Sequence, residues 1–477
     1  MLVCFLLGLY ASVNRIKTVS VAKFGGSLLT DEGENISTII DRIADLKKRD
    51  GCGPVVVFSA PNGFTDKLIS IGESCTQSKP LSVDSVFNVY MGLAKKYVKP
   101  PYLEQALDEL RQYWRQLEES TGLINKRFHG TVKARVLTLG GELPTSVLMD
   151  YILKSNGFDS CHVTREEWPV VTDDNFENAT PNFELSKNKT KKLMEALEAG
   201  KTVVLGGFMG VTSDGLETVL GRGGSDLTAV FVSCLLKRKY RVETVLFKEM
   251  PVQSADPRMV KGQKTEQLAS LTYNEAHKAS KMGMKIVQGD AISVAKRFEQ
   301  PIKVVSVAKP EDYTLIESET NLDQTVKCVT GKSDCAILSM DDLNSRSFED
   351  ALRIWENVND FLDLGTETLE TGKRIRDFLF LDSDFLRKNE ERVKGFDEDL
   401  TVEYGVGVVT LIGDGMKYSS GVASIAIGAI PQIIIKRGIF APHTSQIILL
   451  VNENQVAETV AAIHAKRPEM NKPSRRI

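Results

Sequence analysis

Apolar and polar positions along the first two thirds of the chain follow two different periods. Between Ile36 and Leu46, isoleucine and leucine recur at intervals of three and four residues, which predicts an amphipathic helix. Several short runs are instead continuously apolar and rich in β-branched residues, as is typical of strands covered on both faces. These runs are VSVA at 19–22, PVVVF at 54–58, TVVLGGF at 202–208, VETVLF at 242–247 and PIKVVSV at 301–307. The alternation predicts an α/β fold, a three-layer α/β/α sandwich with a mostly parallel sheet, over residues 15–310.

Beyond about residue 320 the pattern changes to shorter units. Between residues 401 and 466 it predicts strand, helix, strand, strand and helix, in the segments VGVVTLIG, SGVASIAIGAI, PQIIIKRG, SQIILLVN and NQVAETVAAIHAK. This βαββα order is that of a ferredoxin-like module without its last strand. A second copy is indicated upstream by CAILSM, by a helix around Phe348, Leu352 and Trp355, and by DFLFLD. We therefore predict two ferredoxin-like βαββαβ modules, at 320–398 and 399–470, which could share strands.

Composition narrows the class of ligand. The 477 residues are 42% hydrophobic, and 60 basic residues against 63 acidic residues give a net charge of −3. A chain of this length has room for about three domains. Its charge balance offers no basic surface for nucleic acid or for an anionic membrane, so a small molecule is the partner that the composition favours.

Cysteine and histidine positions argue against disulfide and metal chemistry. The seven cysteines are scattered without a CxxC pair, and the five histidines form no HxxxH or HExxH pair. Such cysteines are typical of reduced core thiols, so we expect a cytoplasmic protein in which no metal is held by protein ligands alone. The apolar opening MLVCFLLGLYAS is too short to span a bilayer, and no basic residue precedes it. It favours an extra N-terminal segment, or a start codon assigned too far upstream, over a secretory signal.

Three glycine-rich loops follow predicted strands. They are KFGGS at 23–27, GGFMG at 206–210 and GRGGSD at 221–226. In a parallel sheet, ligands bind at the loops that leave the carboxyl ends of strands. Glycine lets backbone N–H groups approach an anion, and a helix that begins near Ser225 or Asp226 would add its positive end. The chain has neither GxxxxGK(S/T) nor GxGxxG between a strand and a helix, so the loops predict a phosphate site that is neither a P-loop nor a Rossmann fingerprint.

Each loop also has a simpler interpretation. A Gly-Gly pair after a strand forms a tight turn more often than a phosphate cradle. Asp226 would then serve only as a helix cap, and Lys23 would be an exposed lysine at the end of a strand. Three such loops with lysine, arginine and aspartate at their tips favour one binding site over three unrelated turns.

Five motifs follow one another along the chain. They are KFGGS, FSAPNGFTDKL at 58–68, LGGELPTSVL at 139–148, GFMGVTSDGLETVLGRGGSDLTA at 207–229 and SADPRMV at 254–260. This ordered set resembles the aspartate kinases of the amino-acid kinase superfamily. The C-terminal modules are similar to the tandem ACT modules of these enzymes, so the resemblance covers nearly the whole chain. It implies the amino-acid kinase fold at 15–310, followed by two regulatory ACT modules.

The resemblance also implies roles for individual residues. Lys23 would contact the transferring phosphoryl group, and Asp226 would orient Lys23 or act in the transfer. Arg222 would grip a carboxylate of L-aspartate, and Glu142 would receive its ammonium group. The other implied aspartate-binding residues are Ser59, Thr65, Gly223 and Ser225. The implied nucleotide-binding residues are Lys23, Gly25, Gly26, Ser27, Lys248, Asp256, Arg258 and Lys285, and Mg²⁺ would arrive with ATP.

The implied reaction is the ATP-dependent phosphorylation of the side-chain carboxylate of L-aspartate to 4-phospho-L-aspartate, on the route to lysine, threonine and methionine. The resemblance also implies feedback inhibition by lysine or threonine at the ACT modules, and a homo-oligomer. Because two anions must meet, such a transfer depends on positioning and on cations placed where negative charge develops. A carboxylate is already ionised at neutral pH, so no histidine base is required, and arginine grips a carboxylate bidentately where lysine cannot.

Two alternatives stay open. One is another acyl-phosphate-forming kinase of the same fold, such as one acting on glutamate or N-acetylglutamate, and the other is a catalytically silent amino-acid sensor. The family usually has a TDVDG-like or KDVDG-like run before ADPR and often has GAKVLH further on. This chain has FKEMPVQSADPR and GMKIVQ instead, the latter retaining Lys285. Since the reaction-centre motifs are intact, we interpret these departures as divergence.

Overall fold

The computed structural model describes residues 17–77, 79–319, 322, 324–355 and 361–472. They form two compact units. The first extends to Met250 and includes Ser293–Tyr313, and the second comprises Pro251–Ile292 and the chain from Thr314 onward. The predictions made for the opening MLVCFLLGLYAS lie outside the described residues.

Strands and helices alternate through most of the chain. The strands are β1 Thr18–Phe24, β2 Val55–Phe58, β3 Ser160–His162, β4 Thr202–Gly206, β5 Met209–Val211, β6 Glu217–Val219, β7 Arg241–Lys248, β8 Ser270–Thr272, β9 Ile302–Ser306, β10 Tyr313–Glu317, β11 Cys328–Asp341, β12 Phe361–Thr368, β13 Arg374–Phe380, β14 Thr401–Ile412, β15 Arg437–Ala441 and β16 Gln446–Asn452. The α-helices are α1 Ile36–Arg49, α2 Phe64–Thr76, α3 Asp84–Tyr97, α4 Tyr102–Gly122, α5 Gly130–Gly140, α6 Glu142–Ser155, α7 Phe183–Ser186, α8 Lys191–Glu198, α9 Gly224–Leu236, α10 Tyr273–Lys281, α11 Gly289–Arg297, α12 Asp342–Ile354, α13 Asp384–Lys388, α14 Glu390–Lys394, α15 Val422–Gly428, α16 Val456–Ala465 and α17 Arg467–Met470. Within the described residues, no helix has the length and apolar character needed to cross a membrane.

The first unit is built on a parallel sheet. Its strands lie in the order β3-β4-β2-β1-β7-β9, and every neighbouring pair is parallel. Alternate residues of β1, β2 and β4 point to opposite faces, and nearly all of them are buried. Both faces of the sheet are therefore covered, with α9 packed against β1 and β7, and α6 against β3 and β4. The predicted α/β fold class is confirmed.

Strand register places the ends of the central strands at one edge of the sheet. Phe24 lies opposite Phe58 of β2 and Phe247 of β7. The three rings stack, with centroid distances of 5.4 Å and 4.8 Å from Phe24 to its neighbours. Lys23 and Lys248 are each adjacent in sequence to this row of rings, so the loops that follow β1, β2 and β7 leave the sheet together.

The second unit contains a six-stranded antiparallel sheet. Its order is β12-β13-β11-β14-β16-β15. Strands β11, β13 and β12 belong to the first predicted module, and β14, β16 and β15 belong to the second. Because β11 pairs with both β13 and β14, each module fills the position of the other module's missing fourth strand. The ferredoxin-like fold class is confirmed, with both modules in one sheet.

One predicted strand is wrong. The sequence predicts a strand at PQIIIKRG, residues 431–438, but β15 begins only at Arg437. Ile433 is buried in the core beside β14 and β16, whereas the neighbouring Ile434 is 71% exposed. A loop that buries one isoleucine can have the same local composition as a strand. The prediction from composition therefore started this strand six residues too early.

The compact units differ from the predicted domain boundaries. Pro251–Ile292 belongs to the second unit, although the predicted catalytic domain extends to residue 310. Within that unit, Nζ of Lys327 lies 2.9 Å from a carboxylate oxygen of the buried Glu275. A Cβ on Gly283 would lie 2.5 Å from the carbonyl oxygen of Gly331 in β11. These contacts attach the segment to the antiparallel sheet, and the boundaries drawn from the sequence stay predictions.

Candidate active site

Two glycine-rich loops lie directly against neighbouring backbone at the carboxyl edge of the parallel sheet. A Cβ on Gly26 would lie 2.6 Å from the carbonyl oxygen of Ala60, and a Cβ on Gly207 would lie 2.4 Å from Cβ of Ser225. No side chain fits at such distances, so glycine is required at both positions. The loop after β1 therefore contacts the loop after β2, and the loop after β4 contacts the first turn of α9.

A buried carboxylate lies between two lysines at this edge. Oδ1 of Asp226 is 2.8 Å from Nζ of Lys23, and Oδ2 is 3.3 Å from Nζ of Lys248. Asp226 is in the first turn of α9 and is 4% exposed. Among the described residues, Oδ1 has no hydrogen-bond donor beyond its ion pair with Lys23. The three side chains form one compact charged cluster in the first unit.

The lysines determine the ionisation of Asp226. Burial alone would raise its pKa, but the charges of Lys23 and Lys248 together lower it to about 2. For Lys248, burial outweighs the attraction of Asp226, so its pKa lies below the ordinary value. The cluster thus holds two basic groups side by side, Lys23 buried and Lys248 partly buried, where their attraction for a phosphoryl group is stronger than in bulk water.

The simpler interpretations of Lys23 and Asp226 are wrong. Lys23 is 7% exposed and therefore does not face solvent. No side chain caps α9, which begins at Gly224 after Gly223, and both carboxylate oxygens of Asp226 face lysines instead. Gly223 has a φ of 77°, which glycine adopts readily. The GRGGSD loop therefore does form a tight turn, and this turn is compatible with the loop's expected role in binding.

Glu142 begins α6 and is buried against the same loops. Its Oε1 accepts a hydrogen bond from the backbone N–H of Ala60 at 3.2 Å. A Cβ on Gly206 would lie 2.8 Å from the carbonyl oxygen of Glu142. Burial raises the pKa of Glu142 to about 8, against smaller lowering contributions that include the charge of Lys23. An approaching ammonium group would favour the ionised form of Glu142. Glu142 must be ionised to bind the ammonium group of aspartate, which is its expected role.

The other expected aspartate-binding residues line the same group of loops. Ser59 follows β2 and Thr65 lies in the first turn of α2, and both are half-buried, whereas Ser225 is buried at the start of α9. The Arg222 side chain is 97% exposed, with its guanidinium 4.0 Å from Asp66. Arg222 is therefore free to turn toward a ligand, and its contact with aspartate stays a prediction.

The expected nucleotide-binding residues fall in both units. In the first, Gly25 and Ser27 flank Gly26, and a Cβ on Gly25 would lie 3.5 Å from Nζ of Lys23. Ser27 is exposed. These positions are open enough for a ligand to approach the backbone of the KFGGS loop.

Asp256, Arg258 and Lys285 lie in the second unit. Nη2 of Arg258 donates to Oδ2 of Asp256 at 2.6 Å. This bond lowers the pKa of Asp256, and the charge of Lys285 contributes in the same direction. Arg258 and Asp256 therefore form an ion pair, and the assignment of these residues and Lys285 to the nucleotide stays a prediction.

Sequence reasoning missed two contacts of this site. It assigned Lys248 to the nucleotide, which stays a prediction, and it did not predict that Lys248 pairs with Asp226. It also did not select Tyr90, whose Oη lies 2.7 Å from the carbonyl oxygen of Gly141. The sequence did contain a signal for Tyr90. Its hydroxyl lies on an apolar face of α3 with the buried Val86, Leu93 and Ala94, and a buried hydroxyl needs a hydrogen-bond partner.

Among the residues that the structure describes, no group of three potential metal ligands lies around Lys23. Within the described ranges, three potential ligands approach to within 4.8 Å of one another only at Asp334, Asp382 and Asp384, which are exposed in the second unit. Asp226 is already paired with two ammonium groups. The described cysteines are free thiols.

Comparisons of the sequence with known proteins identify its family. A model of the amino acid kinase family matches residues 18–306. The aspartokinase of Bacillus sp. (strain MGA3) is 24% identical over 458 residues, which cover 93% of this chain and 96% of that protein. The lysine-sensitive aspartokinase 3 of Escherichia coli (strain K12) is 24% identical over 468 residues, which cover 94% of this chain and 98% of that protein.

Solved structures show the same fold. E. coli aspartokinase III in complex with aspartate and ADP matches with a TM-score of 0.75 at 20% identity, over 94% of this chain and 99% of that chain. The same enzyme in complex with lysine and aspartate matches with a TM-score of 0.69 at 20% identity, over the same shares of the two chains. Because the family model covers more than half of the sequence, the chain belongs to the amino acid kinase family, and its resemblance to the aspartate kinases is confirmed.

Proposed function

We propose that this chain transfers the γ-phosphoryl group of ATP to the side-chain carboxylate of L-aspartate, which gives 4-phospho-L-aspartate and ADP. The observation that carries the proposal is Asp226 held between Lys23 and Lys248 where the glycine-rich loops meet. Aspartokinases that match over nearly their whole length support the choice of substrate, as does the E. coli enzyme solved with aspartate and ADP.

The lysine cluster would act through charge and position. Lys23 would lie against the transferring phosphoryl group and offset the negative charge that builds up as two anions meet. Asp226 would keep Lys23 and Lys248 in place, because a carboxyl group with a pKa of about 2 does not take up a proton near neutral pH. The positive end of α9 adds to the potential at this point. No proton needs to leave the acceptor, since its carboxylate is already ionised.

ATP would bring Mg²⁺ on its phosphates. The carboxylate beside Lys23 is neutralised by two ammonium groups, so the protein donors fit a metal held chiefly by the nucleotide and by water. When bound, Mg²⁺ would neutralise charge on the β and γ phosphates.

Trapping with hydroxylamine tests the proposed reaction, because hydroxylamine converts an acyl phosphate into a stable hydroxamate. The protein would be incubated with MgATP, hydroxylamine and, separately, L-aspartate, L-glutamate and N-acetyl-L-glutamate. We expect the hydroxamate of aspartate only. A hydroxamate of another acceptor would assign a different kinase activity, and no hydroxamate with any acceptor would assign a silent sensor.

Replacing Arg222 by lysine is expected to raise the KM for aspartate about tenfold, because lysine keeps the charge but loses the bidentate grip on a carboxylate. The KM for ATP should change by less than about twofold. The melting temperature should not change, since the side chain is almost fully exposed. Steady-state kinetics with each substrate varied in turn provides the measurement. An increase confined to the KM for ATP would assign this loop to the nucleotide.

We also propose that lysine or threonine inhibits the enzyme at the junction of β11 and α12. A helix start of this kind can receive the carboxylate of an amino acid. Asp341 caps α12 by accepting a hydrogen bond from the N–H of Leu343 at 3.0 Å. Asp342 is paired with Arg374 at 3.0 Å, and the buried Ser345 donates its hydroxyl to the carbonyl oxygen of Asp342 at 2.7 Å. The lysine-sensitive E. coli relative, solved with lysine, supports an amino-acid effector.

Replacing Asp342 by asparagine and Ser345 by alanine together should raise the inhibitory concentration of the effector at least about tenfold, because both side chains shape the junction. Basal activity should persist. Inhibition curves for lysine and threonine, measured with hydroxamate formation, test this. Asp350→Asn changes an exposed carboxylate further along the same helix and serves as the control. Unchanged inhibition in the double variant would place the effector elsewhere.

A further inference from the structure

Tyr90 carries a buried hydroxyl that the proposed mechanism does not use. The residue lies on α3 and is 2% exposed. Its Oη lies 2.7 Å from the carbonyl oxygen of Gly141, 3.2 Å from that of Gly140 and 3.0 Å from Oγ1 of Thr145. Burial raises the pKa of Tyr90 well above its ordinary value, so the hydroxyl stays a donor. Its partners form the junction between α5 and α6.

The junction needs a donor from outside the helices. In a continuous helix the carbonyl of Gly140 would accept a hydrogen bond from the N–H four residues later. That residue is Pro144, which has no N–H. Helix α5 ends at Gly140 and α6 begins at Glu142, with Gly141 at a ψ of −96° between them. A buried carbonyl without a donor costs free energy, and the single proton of the Tyr90 hydroxyl, shared between the carbonyl oxygens of Gly141 and Gly140, supplies one.

The ring of Tyr90 packs against a second element, helix α2. It packs edge-on against Phe64, with a centroid distance of 5.4 Å and an interplanar angle of 84°. Phe64 is the first residue of α2 and is adjacent to Thr65. At the other end, the hydroxyl donates to the carbonyl oxygen of Gly141, which also accepts from the hydroxyl of Thr145 and is adjacent to Glu142. Tyr90 therefore connects the two elements that carry Thr65 and Glu142.

We propose that Tyr90 is a positioning residue for the amino-acid acceptor, because it fixes the separation of Thr65 and Glu142. The inference rests on the proposed function, since it takes these two residues as part of the acceptor site. Tyr90 would act through the main chain of both elements without touching the acceptor. Its loss should therefore affect acceptor binding far more than ATP binding.

Tyr90→Phe tests the inference, because phenylalanine keeps the ring against Phe64 and removes only the hydroxyl. We expect the KM for aspartate to rise about tenfold, with the KM for ATP within about twofold of wild type. Tyr240→Phe is the matched control. Tyr240 is also buried in the first unit, but its hydroxyl has no hydrogen-bond partner among the described residues, so neither KM should change.

Phe64→Leu provides a second variant in case Tyr90→Phe does not fold. It removes the edge-on contact and keeps the hydroxyl, so it should raise the KM for aspartate selectively and by a smaller factor. The inference is overturned if a folded variant leaves the KM for aspartate unchanged, or raises both KM values equally. Wild-type hydroxamate formation is measured first. If the acceptor is another amino acid, the comparison is made with that acceptor, and if no acceptor reacts, both proposals are rejected.

Discussion

Replacing Lys23 by alanine is expected to lower turnover at least about a hundredfold while the protein stays folded. The ammonium group of Lys23 is buried beside Asp226, where a fixed charge stabilises a developing anion without waiting for solvent to reorganise. The fold should survive because Asp226 keeps its second cation, Lys248, at 3.3 Å. The change thus removes charge from the reaction and leaves no buried carboxylate without a partner.

Initial rates of hydroxamate formation at saturating ATP and aspartate measure this effect, and thermal melting checks the fold. Lys67→Ala is the control. Lys67 is a partly exposed lysine on α2, 3.3 Å from Asp31, and its loss should leave turnover within about twofold of wild type. Near-normal turnover in folded Lys23→Ala protein would reject the assignment of Lys23 to the reaction centre.

Burial on one or two faces made much of the fold predictable from local pattern. The isoleucine and leucine spacing that predicted α1 corresponds to the buried Ile36, Ile39, Ile43 and Leu46. The continuous apolar runs became β1, β2, β4, β7 and β9 of the parallel sheet. In each case the sequence period records how many faces of the element avoid water, and this property is local.

The pairing of segments that are distant in sequence could not be predicted from local pattern. Valine-rich runs do not specify which strands pair, so nothing local places β7 beside β1. The misplaced strand at 431–438 has the same origin, because Ile433 is buried by packing under other elements rather than by strand pairing. Tertiary packing decides such cases after local preference has been satisfied.

In the candidate site, too, some residues were predictable from local sequence, and others depended on tertiary packing. The glycine-rich loops drew attention to Lys23 and Asp226, and the resemblance to the aspartate kinases added Glu142; the structure places all three at the same edge of the sheet. The motifs could not indicate that Lys248 shares Asp226, or that Tyr90 binds a carbonyl 51 residues away. Such contacts depend on strand order and helix packing. The supporting residues of a site are therefore harder to predict than the charged residues that it presents.

Replacing Asp226 by asparagine is expected to reduce both turnover and stability. Asparagine keeps the shape but removes the charge, which leaves Lys23 and Lys248 close together without a counter-charge. Losing one partner of a buried ion pair should lower the free energy of unfolding by about 3 kcal/mol. Repulsion would also displace Lys23, so turnover should fall at least about a hundredfold. With Lys23→Ala added, the combined loss in turnover should be well short of the product of the single losses.

The stability effect of Asp226→Asn should have a defined pH window. Lys23 and Lys248 hold the folded-state pKa of Asp226 at about 2, below the ordinary value of 3.8, so folding favours the ionised form. The part of the stabilisation that depends on this ionisation, about 2 kcal/mol, is fully present above about pH 5 and is lost as the pH falls through about 4 toward 2. The free energy of unfolding, measured with urea from pH 7 down to about pH 3, should be higher for the wild type than for the variant. This difference, the wild-type advantage, should be constant down to about pH 5 and should shrink as the pH falls through about 4. Asp45→Asn, at a surface pair with Arg42, should show little advantage at any pH. An advantage that does not shrink in acid would mean that the two lysines do not hold Asp226 ionised.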